Sequence, residues 1–320
     1  MIQDFSRKMD PRRLYMDGYQ TKAYAKINLG LDVVKRLPNG YHQVKMIMQN
    51  IGIHDELTFE KAEHAVTILT DSEELPTDKN NLIHKAAGYM FDKYSISSGL
   101  RVRLRKNIPI AAGLAGGSAD AAATMKGINI LFGLGLSTEE LMENGSAIGA
   151  DVPYCILGGT ALAEGIGEKL TPLPPIPACH ILIAKPDINV STKYVYEHLD
   201  LQALTRHPDI DGMTESIKSG QLEGITKRME NVLETVTIPA YPVIADIKER
   251  MLCLGAENSL MSGSGPTVFG IFRNRNTAEH AYGEILASKL ARQVFLTPQY
   301  RPPERLQPDE TTNMLQERHR

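Results

Sequence analysis

The stretch Pro109–Thr124, PIAAGLAGGSADAAAT, constrains this chain most, because its two halves ask for different backbones joined at one point. The first half is Pro109-Ile110-Ala111-Ala112-Gly113-Leu114-Ala115-Gly116-Gly117. Its side chains are too small to cover their own backbone, so N–H groups stay available to an outside partner. From Ser118-Ala119 to Met125 the composition turns alanine-rich and helix-forming. A loop of small residues opening into a helix gathers unsatisfied N–H groups and the positive end of the helix dipole in one place, which suits phosphate. A close-packed turn, in which glycines let two backbones touch, would give the same spacing. The chain contains no GxxxxGK[ST] and no GxGxxG, so the usual P-loop and dinucleotide-binding readings fail. The HRD and DFG signatures of protein kinases are also absent.

Strand-like spacing runs from Thr21 to Arg36, followed by a Pro38-Asn39-Gly40 turn and a second strand over Gln43–Ile53. Further strands are expected at Glu56–Lys61, Ala65–Thr70 and Arg101–Asn107, the last running into the glycine-rich stretch. Asn81–Tyr94 carries Leu82, Ala86, Ala87, Met90 and Phe91 on one helical face, with Asn80 or Asn81 as N-cap. A second helix should start near Gly117. Beyond it come strands at Thr160–Glu164 and His180–Ala184, separated by the Pro-rich connector Thr171–Pro177. Amphipathic helices, a glycine-rich turn and strand over Met261–Phe272, and a helix over Thr277–Lys289 follow.

At 320 residues the chain is long enough for two cores, or for one core built from two lobes. A net charge of -3 makes nucleic acid an unexpected partner. Cys155, Cys179 and Cys253 are far apart, without CxxC or paired-His spacing, which argues against a disulfide framework or structural zinc and for a reducing cytoplasm. No apolar run reaches the roughly 20 residues of a membrane-spanning helix, so no membrane partner is expected. Residues 1–20 read as a flexible extension, with Met16 as an alternative start, and the charged stretch after Arg301 as a solvated tail.

The string Pro109–Ala119 resembles the ATP-binding motif of the GHMP kinases, P-x-x-x-G-L-(G/A)-(G/S)-S-(S/A). Ala25-Lys26-Ile27-Asn28-Leu29 resembles the first motif of that family, and Met261-Ser262-Gly263-Ser264-Gly265-Pro266-Thr267 the third, in the same order. The likeness covers roughly Lys22 to Thr297. It implies a two-lobe α/β (α+β) GHMP-kinase fold. The N-terminal lobe, over 21–172, would be ribosomal-protein-S5-domain-2-like and the C-terminal lobe, over 173–300, ferredoxin-like, with extensions at 1–20 and 301–320. Monomer and homodimer both remain open.

What the resemblance implies chemically is ATP-dependent phosphorylation of a small alcohol with Mg²⁺, a reaction that asks a protein for positioning, charge neutralisation and a base. In Gly149-Ala150-Asp151-Val152-Pro153, Asp151 matches the family's catalytic aspartate, with Lys26 beside it and Asn28 on the substrate side. Taken alone, an Asp before Val-Pro would be a turn or cap residue, and Lys26 an end-of-strand lysine reaching for water. The Gly40-Tyr41-His42 element is similar to the branch of the superfamily that acts on a cytidyl substrate, where Tyr and His shape the base pocket. Val190–Tyr196 is similar to the block supplying a Thr and a second aromatic, here Thr192 and Tyr196. Ser118 would contact phosphate or Mg²⁺, or cap the helix, while Asp120 favours the helix dipole or assists the metal; the metal ligands stay open. Ala115 and Ala119 stand where Gly and Ser are common, and neither removes a backbone donor. Kinases of the mevalonate or homoserine type, or a catalytically inactive nucleotide-binding regulator, are the alternatives.

Overall fold

The structure, a computed structural model, describes residues 18–300; most of the N-terminal extension and the tail lie outside the described residues. Strand β1 (Tyr19–Arg36) pairs antiparallel along nearly its whole length with β2 (His42–Ala62). β1 starts inside the segment expected to be a flexible extension, because Tyr19 pairs with Phe59 and stacks on its ring at 6.3 Å. The two strands expected over 43–61 are one. β2 continues through His54 and Asp55 because β1 accompanies it throughout, while its other edge changes partner.

β5 (Thr160–Gly165) pairs with Val44–Gln49, and β4 (Gly99–Arg105) pairs with Glu56–Ala62, while Ile51 between them bridges to Gln299. β3 (Val66–Thr70) lies parallel to β4, and β6 (Lys169–Leu173) closes the opposite edge. β6 takes the first three residues of the expected connector, and Pro172 is tolerated there because no further strand needs its missing N–H. Helix α1 (Leu82–Lys93) starts at Asn81, whose side chain accepts the Ile83 N–H. It packs with α2 (Gly116–Leu131) over the sheet. α2 is alanine-rich on every buried side, and Gly127 lies where a Cβ would come within 2.8 Å of the Phe59 ring, so the helix can sit close on β2.

α3 (Thr138–Ser146) and α4 (Val152–Leu157) lead back to β5. Beyond them β7 (His180–Lys185) opens a second sheet, and α5 (Thr192–His198), α6 (Ile210–Lys218), α7 (Leu222–Thr226) and α8 (Glu234–Ala240) intervene before α9 (Val243–Cys253). β8 (Asn258–Met261), β9 (Val268–Phe272), α10 (Arg275–Ser288) and β10 (Gln293–Pro298) complete the chain described. The antiparallel order β10-β7-β9-β8, with α9 and α10 as crossovers, is a ferredoxin-like arrangement. β7 is buried on both faces. Ile181 and Ile183 join the core of the first sheet, while Leu182 and Ala184 join the core under α9 and α10, so the strand contributes to two cores at once. Among the described residues no helix is long and apolar enough to cross a membrane.

Candidate active site

A cavity of about 1240 Å³ opens between the two sheets, and side-chain alternation explains its wall. His42, Val44 and Met46 lie two apart on β2 and face it together, as do Lys26 and Asn28 on β1. A bulge between Asn28 and Gly30 then shifts the phase, so that Leu31 is the next to line the space.

The glycine-rich turn forms an adjoining wall, fixed by two hydrogen bonds. The Lys26 N–H donates to the Leu114 carbonyl at 3.1 Å, and the Ser262 hydroxyl donates to the Gly113 carbonyl at 3.0 Å. Gly113 has φ +72°, and a Cβ there would overlap the Ser262 carbonyl oxygen, so here the glycine does let two backbones touch. Gly117 differs: it is exposed to the cavity, and the nearest atom to a Cβ would be Leu82 Cδ1 at 3.4 Å. α2 begins after Ala115 with no side-chain cap, so the N–H groups of Gly116, Gly117 and Ser118 lack an intrahelical carbonyl. Ser118 is not the cap, and its hydroxyl has no hydrogen-bond partner among the described residues. Ala111 and Ala115 hold φ of 50° and 56°, a strain that the sequence did not reveal and that is costly for residues with a Cβ.

Lys26 is 5% exposed and donates to Asn28 Oδ1 at 2.8 Å; its Nζ stands 3.9 Å from Asp151 Oδ2. Asp151 occupies the cap position of α4, but its side chain makes no capping bond, so the carboxylate is left to the cavity. The hydroxyl of Tyr196 is pushed up by burial, and the Asp151 charge adds to the rise, so it stays protonated.

At the far end, the His42 and Tyr196 rings lie 5.2 Å apart at 38°. Burial, with the Arg36 charge adding to it, holds the His42 imidazole below its ordinary pKa. The hairpin is closed by Leu37 N–H to Tyr41 carbonyl at 2.7 Å and by Tyr41 N–H to Asn39 Oδ1 at 3.1 Å, leaving the Tyr41 ring 60% exposed. Thr192 and Ser264 share a hydroxyl hydrogen bond of 2.8 Å. All the sequence-predicted site residues line the one cavity except Ala119, which is buried in α2 behind it.

Sequence reasoning missed Lys106, Arg36, and the group Leu75, Pro76, Asn81 and Leu82, which line the same space. Lys106 closes an alternating basic strand, and nothing in its local spacing sets it apart from the arginines before it. Its side chain is in fact 6% exposed and lies between Asp55 and Asp120, which explains Asp120 better than the helix dipole does. For Mg²⁺, the described residues hold no group of three or more His, Cys, Asp or Glu. Ser118 Oγ is the fitting donor, and a metal carried chiefly by phosphate oxygens needs few protein ligands.

A loop-to-helix phosphate cradle facing a Lys–Asp pair between two such lobes defines a GHMP kinase. Models of the GHMP kinases N terminal domain and the GHMP kinases C terminal domain match residues 81–159 and 213–291. More narrowly, the chain belongs to the family of 4-diphosphocytidyl-2-C-methyl-D-erythritol kinases. It is 52% identical over 283 residues to the one from Lachnoclostridium phytofermentans, covering 88% of this chain and 97% of that protein. It is also 52% identical over 288 residues to the one from Lachnospira eligens, covering 90% and 100%. A crystal structure of 4-(cytidine 5'-diphospho)-2C-methyl-D-erythritol kinase superposes with a TM-score of 0.76 at 28% identity, covering 89% of this chain and all of that one. A homoserine kinase from Cytophaga hutchinsonii, at TM-score 0.72 and 20% identity, shares the fold.

Proposed function

We propose that this protein transfers the γ-phosphoryl group of ATP to the 2-hydroxyl of 4-diphosphocytidyl-2-C-methyl-D-erythritol, a step of non-mevalonate isoprenoid precursor biosynthesis in the cytoplasm. The observation that carries the reading is the Lys26–Asp151 pair, 3.9 Å apart, facing uncapped helix N–H groups across one cavity. The triphosphate lies against Gly116, Gly117 and Ser118, whose N–H groups and dipole favour negative charge. Ser118 Oγ would hold Mg²⁺ beside the triphosphate, where the ion would supply charge neutralisation.

Asp151 takes the proton of the attacking hydroxyl. Its freedom from capping matters, because a carboxylate already accepting backbone N–H groups is a weaker base. Lys26, aligned by Asn28, stabilises the negative charge that develops on the attacking oxygen. Tyr41 and Tyr196 stack on the cytosine, His42 bonds its edge as a neutral imidazole, and Thr192 with Ser264 faces the same end. The lobe over 21–172 supplies β1, β2 and the glycine-rich turn, and the lobe over 173–300 adds Thr192, Tyr196 and Ser264.

Steady-state assay of the cytidyl substrate against mevalonate and homoserine tests the reading. Preference for either of the latter two ends it, and loss of ADP release in Asp151→Asn separates an enzyme from an inactive nucleotide-binding relative.

A further inference from the structure

Three charged side chains behind the glycine-rich turn have no part in that mechanism. The Lys106 ammonium, just past the end of β4, donates to Asp55 and Asp120, the latter at 3.0 Å. Asp55, fully buried on β2, uses its other oxygen to accept the N–H groups of Asn107 at 2.6 Å and Ile108 at 2.8 Å, the two residues that lead into Pro109. Asp120 lies near the start of α2, and among the described residues its second oxygen has no hydrogen-bond partner. Lys106 thus ties together the strand beneath the turn, the entry to it, and the helix that leaves it.

Its position is an unfavourable one for a cation. The ammonium stands 2.9 Å from where a Cβ on Gly116 would be, at the positive end of α2. Burial works against the charge, and the two carboxylates outweigh that effect and raise the Lys106 pKa. Apolar residues of similar volume often stabilise such a place as well or better. What they lack is direction, and direction is what a phosphate cradle needs. Asp55 keeps two backbone partners without Lys106, whereas Asp120 keeps none, so loss of the lysine frees the helix end and leaves the strand anchored.

We propose that Lys106 is a positioning residue for nucleotide binding: through Asp55 and Asp120 it sets the direction of the N–H groups of Gly116, Gly117 and Ser118. The proposal rests on the nucleotide reading of the cavity. It is tested on the full chain with Lys106→Met, Lys106→Arg and the double variant Lys106→Met/Asp120→Asn, by thermal melts and by titration with a non-hydrolysable ATP analogue and, separately, with cytidine 5'-diphosphate. Lys106→Met strands two buried carboxylates and should melt early. The double variant removes opposite charges together and should regain most of the melting temperature, while its ATP-analogue affinity stays about tenfold or more below wild type, since a misplacement of about 1 Å can cost 10²-fold. Its affinity for cytidine 5'-diphosphate should be unchanged, and Lys106→Arg should recover part of the nucleotide affinity. A double variant that melts and binds the analogue like wild type overturns the proposal, as does one that loses both ligands equally. If the double variant does not fold, Asp120→Asn alone cuts the helix side of the tether, and unchanged analogue affinity there overturns it too. A wild-type chain that binds cytidine 5'-diphosphate but no adenine nucleotide removes the functional reading and this proposal together.

Discussion

Replacing Asp151 with Asn separates chemistry from architecture more cleanly than any other change in this molecule. The side chain caps nothing, and its one ionic contact among the described residues is to Lys26 at 3.9 Å with the carboxylate 36% exposed. An ion pair so long and so wet is worth less than about 1 kcal/mol. Lys26 also keeps its bond to Asn28 in the variant. At roughly 2–4 °C of melting temperature per kcal/mol for a chain of this size, the shift should stay under about 4 °C. Loss of the base should instead lower kcat by about 10²–10⁴-fold, or roughly 2.7–5.4 kcal/mol of barrier at 1.36 kcal/mol per decade. Nucleotide affinity should hold or improve, because one negative charge leaves the cavity. ADP release under saturating substrates, a thermal melt and ATP-analogue titration give the three numbers. A kcat within tenfold of wild type in a normally melting protein refutes the base assignment. A collapse of the melting temperature refutes the claim that Asp151 holds nothing structural.

The two kinds of glycine in the turn should part company. Gly117→Ala should keep or gain stability, by up to about 1 kcal/mol for a helical position, yet weaken ATP-analogue binding, whereas Gly113→Ala should lower the melting temperature outright through backbone overlap; equal behaviour in melts and titrations would contradict this. Ala115→Gly relieves φ 56° and should raise the melting temperature slightly, since the strain of about 1–2 kcal/mol exceeds the extra chain entropy of Gly; a lower value would refute it. Tyr41→Ala should leave the melt unchanged and raise KM for the cytidyl substrate by about 5- to 150-fold, the equivalent of 1–3 kcal/mol of stacking, with KM for ATP untouched. His42 has a depressed folded pKa, so the folded protein resists a proton that the unfolded chain accepts. Stability and cytidine affinity should therefore fall as pH drops from about 6.5 toward the lower value. Calorimetry across that window should show the fall in wild type and not in His42→Gln, and a flat wild-type profile would dispose of it.

Local patterns carried α1, with its Asn81 cap, and the break from turn to helix at 116, because both are fixed by residues within a few positions of each other. The sequence pattern leaves His54-Asp55 outside the two expected strands, whereas in β2 Asp55 is a buried acid in mid-strand. Its stabilising partners, the N–H groups of Asn107 and Ile108, lie some fifty positions away and leave no mark on local spacing. β6 hid behind Pro172 for a related reason, since whether a proline is tolerated depends on which edge of the sheet it occupies. The Lys26–Asp151 approach was legible only through likeness to a family, as no periodicity links a β1 lysine to the start of α4. Lys106 had no such help. It follows Arg101, Arg103 and Arg105, all solvent-facing, and only the fold shows that the next cation turns inward.

The two buried lysines of the cavity divide its work through the number of their partners. Lys106 is matched by two carboxylates, so little of its field reaches a ligand and most of it goes into holding backbone. Lys26 has a neutral amide at 2.8 Å and a carboxylate at 3.9 Å, so more of its field is left for whatever charge develops nearby. Their surroundings explain why evolution of such a site would not find them exchangeable. A second carboxylate beside Lys26 would quench that field, and removing one from Lys106 would leave an ammonium at the positive end of a helix, in competition with the helix itself for the incoming phosphate.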